Sequence, residues 1–309
     1  MKIFKTITLL TGAALIGALS AGCGKTQPDA AMPDAPRERV QLMHVHGLSY
    51  SPDGSKLLIP IHHGLAVFDG SGWSKAAGPQ HDYMGFSATK EAIYSSGHPA
   101  PDAGLVNPFG VIKSADSGRT WQKLGLEGES DFHLLAPGYQ TNTVYVVNHH
   151  QNSRMTEAGI YYTANDGFSW QRAQARDLRG NPASLAAHPS NPKVVAAGMD
   201  NGLYLSRNAG DTFEKIGAGA VTAVFFDLDG KRVWYGTADG QPGLRRIDLD
   251  GGRTGTVGLP AMQQDAVAYI AQNPARRNEY AIATFQRSVY LSQDEGKTWK
   301  QIAEKGETR

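Results

Sequence analysis

The sequence predicts an all-β propeller of about six four-stranded blades. Two observations predict it. A short turn motif returns five times along the chain, and each copy follows a short apolar strand. Blocks that align as first and second strands of a repeated unit also occur six times between residues 45 and 283. Self-similarity at this spacing marks a repeat architecture. A seventh, degenerate unit at a terminus is the alternative count.

The motif is clearest as Ser114-Ala-Asp116-Ser-Gly118-Arg-Thr120-Trp121. It recurs as Thr163-Ala-Asn-Asp166-Gly167-Phe-Ser169-Trp170, with the acidic residue one place later, and as Ser206-Arg-Asn208-Ala-Gly210-Asp-Thr212-Phe213. A worn copy is Asp248-Leu-Asp250-Gly-Gly252-Arg-Thr254, and the last is Ser292-Gln-Asp294-Glu-Gly296-Lys-Thr298-Trp299. Asp or Asn side chains bond nearby backbone, Gly takes positive φ, and the aromatic packs into the next strand. The pattern resembles the Asp-box, S-x-D-x-G-x-T-W, of BNR-repeat propellers. It speaks for fold rather than function, because the box is a structural turn.

First strands begin at Val45–Ser49, Tyr83–Ser87, Phe132–Ala136, Pro182–Ala186, Ala220–Val224 and Ala266–Ile270. Second strands follow at Lys56–Ile61, Ala92–Ser95, Thr143–Val147, Lys193–Ala197, Arg232–Gly236 and Glu279–Ala283.

The first residues read as a targeting segment. Lys2 and Lys5 precede an apolar run from Ile7 to Leu19 that is too short for a comfortable membrane span. Leu19-Ser-Ala-Gly-Cys23 resembles a bacterial lipobox, which implies cleavage before Cys23, the only cysteine, and its lipidation. The expected organisation is a signal peptide (1–22), a lipidated flexible tether (23–41), a propeller (42–304) and a short tail (305–309). The membrane is then a partner through the anchor at Cys23. Gly24 after Cys23, by analogy with lipoprotein sorting, suggests an outer membrane facing the periplasm. A formal net charge of +1 with no basic block argues against nucleic acid as a partner.

Histidine placement is the main functional signal. Nine of the ten histidines lie between His44 and His150, in the first three blades. At the head of the first strands the aligned column reads His46, Met84, His133, Ala183, Val221, Val267. Two residues earlier it reads His44, Asp82, Asp131, Asn181, Gly219, Asp265. The ends of the second strands carry His62, His63, His98, His149, His150 and Met199. In an antiparallel blade these positions share one face, at the channel mouth, and the turn motifs fall on the other. The set suits a transition metal with His46, Met84 and His133 as direct ligands. His98 or His44 completes it, and Asp82 and Asp131 orient histidines from behind. Thioether sulfur favours copper, with zinc the alternative. Met155 and Met199 extend the same face by register, and His188, before Pro189, reads as a turn residue.

The blocks His44-Val-His46-Gly, Asp82-Tyr-Met84-Gly-Phe86, Ser96-Gly-His98-Pro99, Asn107-Pro-Phe-Gly110 and Asp131-Phe-His133 resemble the bacterial F510/1955 glycosylhydrolase family of BNR/sortilin-like propellers. The resemblance spans the mature domain and is densest in residues 44–135. It implies the fold; the hydrolase label follows the repeat. A sialidase-type site needs an arginine clamp, and Arg154, Arg245, Arg246 and Arg287 are scattered. The preferred expectation is thus a non-enzymatic envelope protein that handles a metal. A glycoside hydrolase using Asp82 and Asp131 is the alternative. A scaffold for an envelope protein partner is a third reading, suggested by a distant similarity to photosystem-assembly propellers.

Overall fold

The computed structural model describes residues 38–141 and 143–309. The expected leader, Cys23 and most of the expected tether lie outside the described residues. Six antiparallel sheets form among those described, and they are six blades in chain order. Blade 1 holds β1 (Ser49–Tyr50), β2 (Leu57–Ile61), β3 (Gly64–Phe68) and β4 (Trp73–Lys75). Blade 2 holds β5 (Asp82–Ala88), β6 (Ile93–His98), β7 (Val111–Ser114) and β8 (Gln122–Gly125). Blade 3 holds β9 (Leu135–Pro137), β10 (Val144–Asn148), β11 (Gly159–Thr163) and β12 (Gln171–Arg172). Blade 4 holds β13 (Pro182–Ala187), β14 (Val195–Met199), β15 (Gly202–Ser206) and β16 (Glu214–Ala218). Blade 5 holds β17 (Val221–Phe226), β18 (Arg232–Thr237), β19 (Gly243–Asp248) and β20 (Thr254–Val257). Blade 6 holds β21 (Val267–Gln272), β22 (Tyr280–Thr284), β23 (Val289–Ser292), β24 (Lys300–Glu304) and a short fifth strand, β25 (Glu307–Thr308).

Each first strand lies beside the first strands of the blades on either side, and β21 returns to β1, so the ring is closed. The core is divided among the seams between blades. Second strands are buried on both faces, which explains near-continuous apolar runs such as Leu57-Leu-Ile-Pro-Ile61. Successive side chains point into opposite seams. Leu57, Ile59 and Ile61 pack with Ala281, Ala283 and Val289 of blade 6, whereas Leu58 packs with Tyr83, Phe86 and Ile93 of blade 2.

The two ends of the described chain close the ring together. Val40 N–H donates to Thr308 Oγ1 (3.0 Å), Leu42 N–H donates to the Gly306 carbonyl (2.7 Å), and Gln41 bridges Glu307. Val40 and Leu42 are buried in the seam between blades 6 and 1. The boundaries expected at 42 and 304 therefore fall inside the fold. Residues 40 and 41 are not tether and residues 307–308 are not tail, because each supplies backbone partners and, at the N-terminal end, an apolar side chain that the last blade needs.

The turn motifs join third to fourth strands, and four of the five share one geometry. Ser114 Oγ bonds Asp116 and accepts the Gly118 N–H (2.8 Å), while Asp116 accepts both the backbone and the hydroxyl of Thr120 (2.8 and 2.7 Å). In blade 3 the role falls to Asn165, which accepts the Ser169 N–H at 3.0 Å. Asp166 is thereby released to bind Tyr94 (2.5 Å) and Lys113 (2.9 Å) of blade 2. Blade 5 forms no such box; there Gly252 N–H bonds the Asp248 carbonyl. Asp116→Ala is expected to cost about 1 kcal/mol, the usual worth of a lost side-chain cap, read as a lower urea midpoint. Asp250→Ala in the boxless turn should leave the midpoint unchanged, and equal losses in the two variants would refute the structural role of the box.

Candidate functional site at the channel mouth

First strands run inward from the mouth and second strands return to it, so strand heads and second-strand ends meet on one rim. Two short motifs build its geometry. In Asp131-Phe-His133, Phe132 is buried in the seam and its N–H donates to Ser96 Oγ (2.9 Å), which leaves the flanking Asp131 and His133 on the rim. In His46-Gly47 and Met84-Gly85, the glycine permits close packing of neighbouring blades. A Cβ on Gly47 would lie 2.8 Å from the Phe86 carbonyl, and one on Gly85 would lie 2.3 Å from the Phe132 carbonyl.

Two carboxylates organise the histidines. Asp82 Oδ2 accepts from His62 Nδ1 (2.9 Å), and its Oδ1 faces His46 Nε2 at 3.7 Å. Asp131 Oδ2 lies 2.8 Å from His133 Nε2 and 3.1 Å from His98 Nε2. His98 Nδ1 in turn donates to Asn107 Oδ1 (2.7 Å), which fixes the orientation of the ring. His44 stacks on His46, with ring centroids 6.2 Å apart, and tilts against His62 at 5.4 Å. His62 also meets His63 at 4.6 Å. Asp82 Oδ1 and Asp131 Oδ1 are buried and accept no hydrogen bond from the described residues.

Electrostatics differ between the two halves. Burial lowers the His46 pKa; Asp82 pulls it up, and His133, His44 and His62 add to the lowering. The balance favours the neutral imidazole, which keeps a lone pair. Burial pushes the Asp131 carboxyl up, but His133 and His98 more than offset this and hold it below the ordinary carboxylate value. The hydrogen bond to Asp131 raises His133.

The expected ligands are not all brought together. His46 and His133 line the channel with apolar neighbours such as Phe86, Leu135, Phe225 and Ile270, but Met84 does not line it. Met84 is buried, and β5 shifts register just after it. Bulges re-aim side chains in this way. Met155 and Met199 are core residues of the seams on either side of blade 3, not rim residues. His149 and His150 are exposed. His188 pins a turn, with Nε2 donating to Gly230 O (2.9 Å) and Nδ1 accepting from Ser190 and Asn191. His62 and Asn107 are the partners that residue-by-residue reading left out of the set. His62 stood in the column at the second-strand ends, where its match to His98 was the available signal. Among the described residues, no three His, Cys, Asp or Glu side chains form a ready-made metal cage.

Residues 110–240 match the model of the sortilin family (Sortilin-Vps10; sortilin, neurotensin receptor 3). That stretch is under half of the chain, and over it the repeat is similar to that of the sortilin propeller. No curated protein matches the sequence significantly. Among solved structures, a GH74 enzyme of Niastella koreensis aligns with TM-score 0.58 and 15% identity, over 87% of this chain and 46% of that one. The GH74 xyloglucanase of Xanthomonas campestris aligns with TM-score 0.53 and 16% identity, over 87% and 46%. YCF48 bound to a D1 peptide aligns with TM-score 0.51 and 18% identity, over 86% and 84%. The chain thus spans just under half the length of the GH74 enzymes, and at these identities the likeness is one of fold.

Proposed function

We propose that the histidine–carboxylate rim binds a transition-metal ion, with copper preferred and zinc the alternative. The observation that carries the reading is the pair of buried carboxylate oxygens, Asp82 Oδ1 and Asp131 Oδ1, that accept no hydrogen bond beside clustered imidazoles. Such an oxygen carries a desolvation penalty of about 1–3 kcal/mol, more when charged, and a bound cation offsets it. The donor set fits the reading. Ligands bound at 2.0–2.1 Å and 90–110° apart are themselves about 2.8–3.4 Å apart. The hydrogen-bonded His62–Asp82, His98–Asp131 and His133–Asp131 separations of 2.9, 3.1 and 2.8 Å also lie in that range, so an ion would take the place of the shared proton. With Met84 buried, the accessible donors are imidazole and carboxylate, which suit Cu(II) and Zn(II) better than Cu(I).

In this reading the protein is an F510/1955-type lipoprotein held at the cell envelope through Cys23, where it takes part in metal handling or tolerance. The glycoside hydrolase alternative draws on the GH74 fold likeness. It needs one carboxyl raised to act as an acid, whereas Asp131 is held down. A scaffold for an envelope partner draws on the likeness to YCF48.

Equilibrium dialysis of the purified protein against Cu(II) or Zn(II) tests the metal reading. The Asp82→Asn/Asp131→Asn double variant should lose at least about tenfold in affinity. Unchanged binding in a folded double variant places the metal elsewhere and ends this reading.

A further inference from the structure

We infer that the rim takes two metal ions, one at each carboxylate; the inference rests on the metal reading above. The blade repeat copies the arrangement. Asp82 opens β5 at the rim of blade 2, two residues ahead of Met84, and reaches back to His62, just past the end of β2 in blade 1. Asp131 stands in the matching place of blade 3 and reaches back to His98, at the end of the second strand of blade 2. Each carboxylate adds one strand-head imidazole: His46 at 3.7 Å for Asp82, and His133 at 2.8 Å for Asp131.

The two groups share no imidazole. His62 and His46 face Asp82, and His98 and His133 face Asp131. Each carboxylate keeps one buried oxygen without a hydrogen bond from the described residues, so each half has a donor of its own to spare. Two imidazoles and one carboxylate are three protein donors, the number that leaves a fourth position of a tetrahedral ion for water or another ligand. A single shared ion would have to draw ligands from both carboxylates and break the pairs of both.

The halves are unequal. Around Asp131, both nitrogens already stand at ligand-pair distance from one oxygen. Around Asp82, His46 must close from 3.7 Å. The Asp131 half therefore fills first and holds its ion more tightly. His44, stacked on His46, is placed to steady that ring as it moves.

Native mass spectrometry during titration with Cu(II), and separately Zn(II), gives the stoichiometry; competition with a chelator gives the two affinities. The wild-type protein should take up two ions in separate steps. Asp131→Asn should leave one weak ion, and His98→Ala serves if that variant fails to fold. His62→Ala, on an exposed side chain, should leave the one tight ion. Uptake of one ion that either variant weakens by tenfold or more overturns the two-site inference and leaves the metal reading standing. No uptake by the folded wild type overturns both.

Discussion

Replacing Arg232 by methionine is expected to cost about 3 kcal/mol or more at pH 7.5, because it strands a buried carboxylate. Asp227 is 1% exposed. Its Oδ2 accepts from Arg232 Nε (2.6 Å) and its Oδ1 from the Tyr280 hydroxyl (2.7 Å). Gln272 continues the network, donating to the Tyr280 oxygen (2.9 Å) and accepting from Leu228 N–H (2.7 Å). Tyr280 belongs to blade 6 and stacks on Trp234 of blade 5 at 4.5 Å, so the network fastens that seam. Removing one partner of a buried pair leaves a charge whose desolvation is no longer compensated.

The pH dependence has a definite sign. Burial raises the Asp227 pKa, although Tyr280 and Arg232 pull it down. A carboxyl that binds its proton more readily folded than unfolded makes folding more favourable as pH falls through the range between the two values. Loss of Arg232 enlarges that shift. Urea titrations should show the deficit of Arg232→Met shrinking between pH 7.5 and 5. Asp227→Asn in the same background should recover roughly half of it by removing the stranded charge. A double variant no more stable than the single one would show that the loss comes from Arg232 packing and not from Asp227.

Gly97→Ala is expected to be as damaging, by more than about 3 kcal/mol, and to reach the candidate metal site as well. Gly97 has φ +118°, and a Cβ there would lie 2.1 Å from the Asp82 carbonyl and 2.9 Å from the Met84 nitrogen. Those are main-chain atoms of the adjacent strand, so β5 and β6 must separate. Asp82 and His98 are direct cross-strand partners, and separating the strands pulls apart two residues that belong to different halves of the rim. Gly104→Ala is the control. Its φ is +64° and no atom lies within 4 Å of the added Cβ, so only backbone strain of about 1 kcal/mol is expected. Thermal unfolding and Cu(II) uptake should both fall for Gly97→Ala and stay near wild type for Gly104→Ala. Equal behaviour of the two would mean that the strand pair yields where the geometry says it cannot.

The blades were legible because the Asp-box is local. Ser114, Asp116, Gly118 and Thr120 satisfy one another within seven residues, and the strands on either side follow from it. Ring closure was not legible, since Val40 and Thr308 are 268 residues apart and neither lies in a repeated motif. At the rim, alignment of the repeats put the histidines and both aspartates on one face. It could not say which way a bulged strand points its side chains, and so Met84 was expected at the mouth although it is buried. His62 stood in the right column, but only the fold shows that Asp82 of the next blade comes within 2.9 Å of it. The pairing crosses between blades, whereas sequence periodicity relates like positions within them.

Chain ends are ordinarily where a domain frays first. Here neither end can fray alone. Peeling residues 306–308 away removes the acceptors of Val40 and Leu42, and pulling residues 40–42 away exposes the edge of β25. The ends behave as the two halves of one latch. A load applied ahead of residue 38 is carried into blade 6 as well as blade 1, and when the latch gives, the ring parts at the seam between them, two seams away from Asp131.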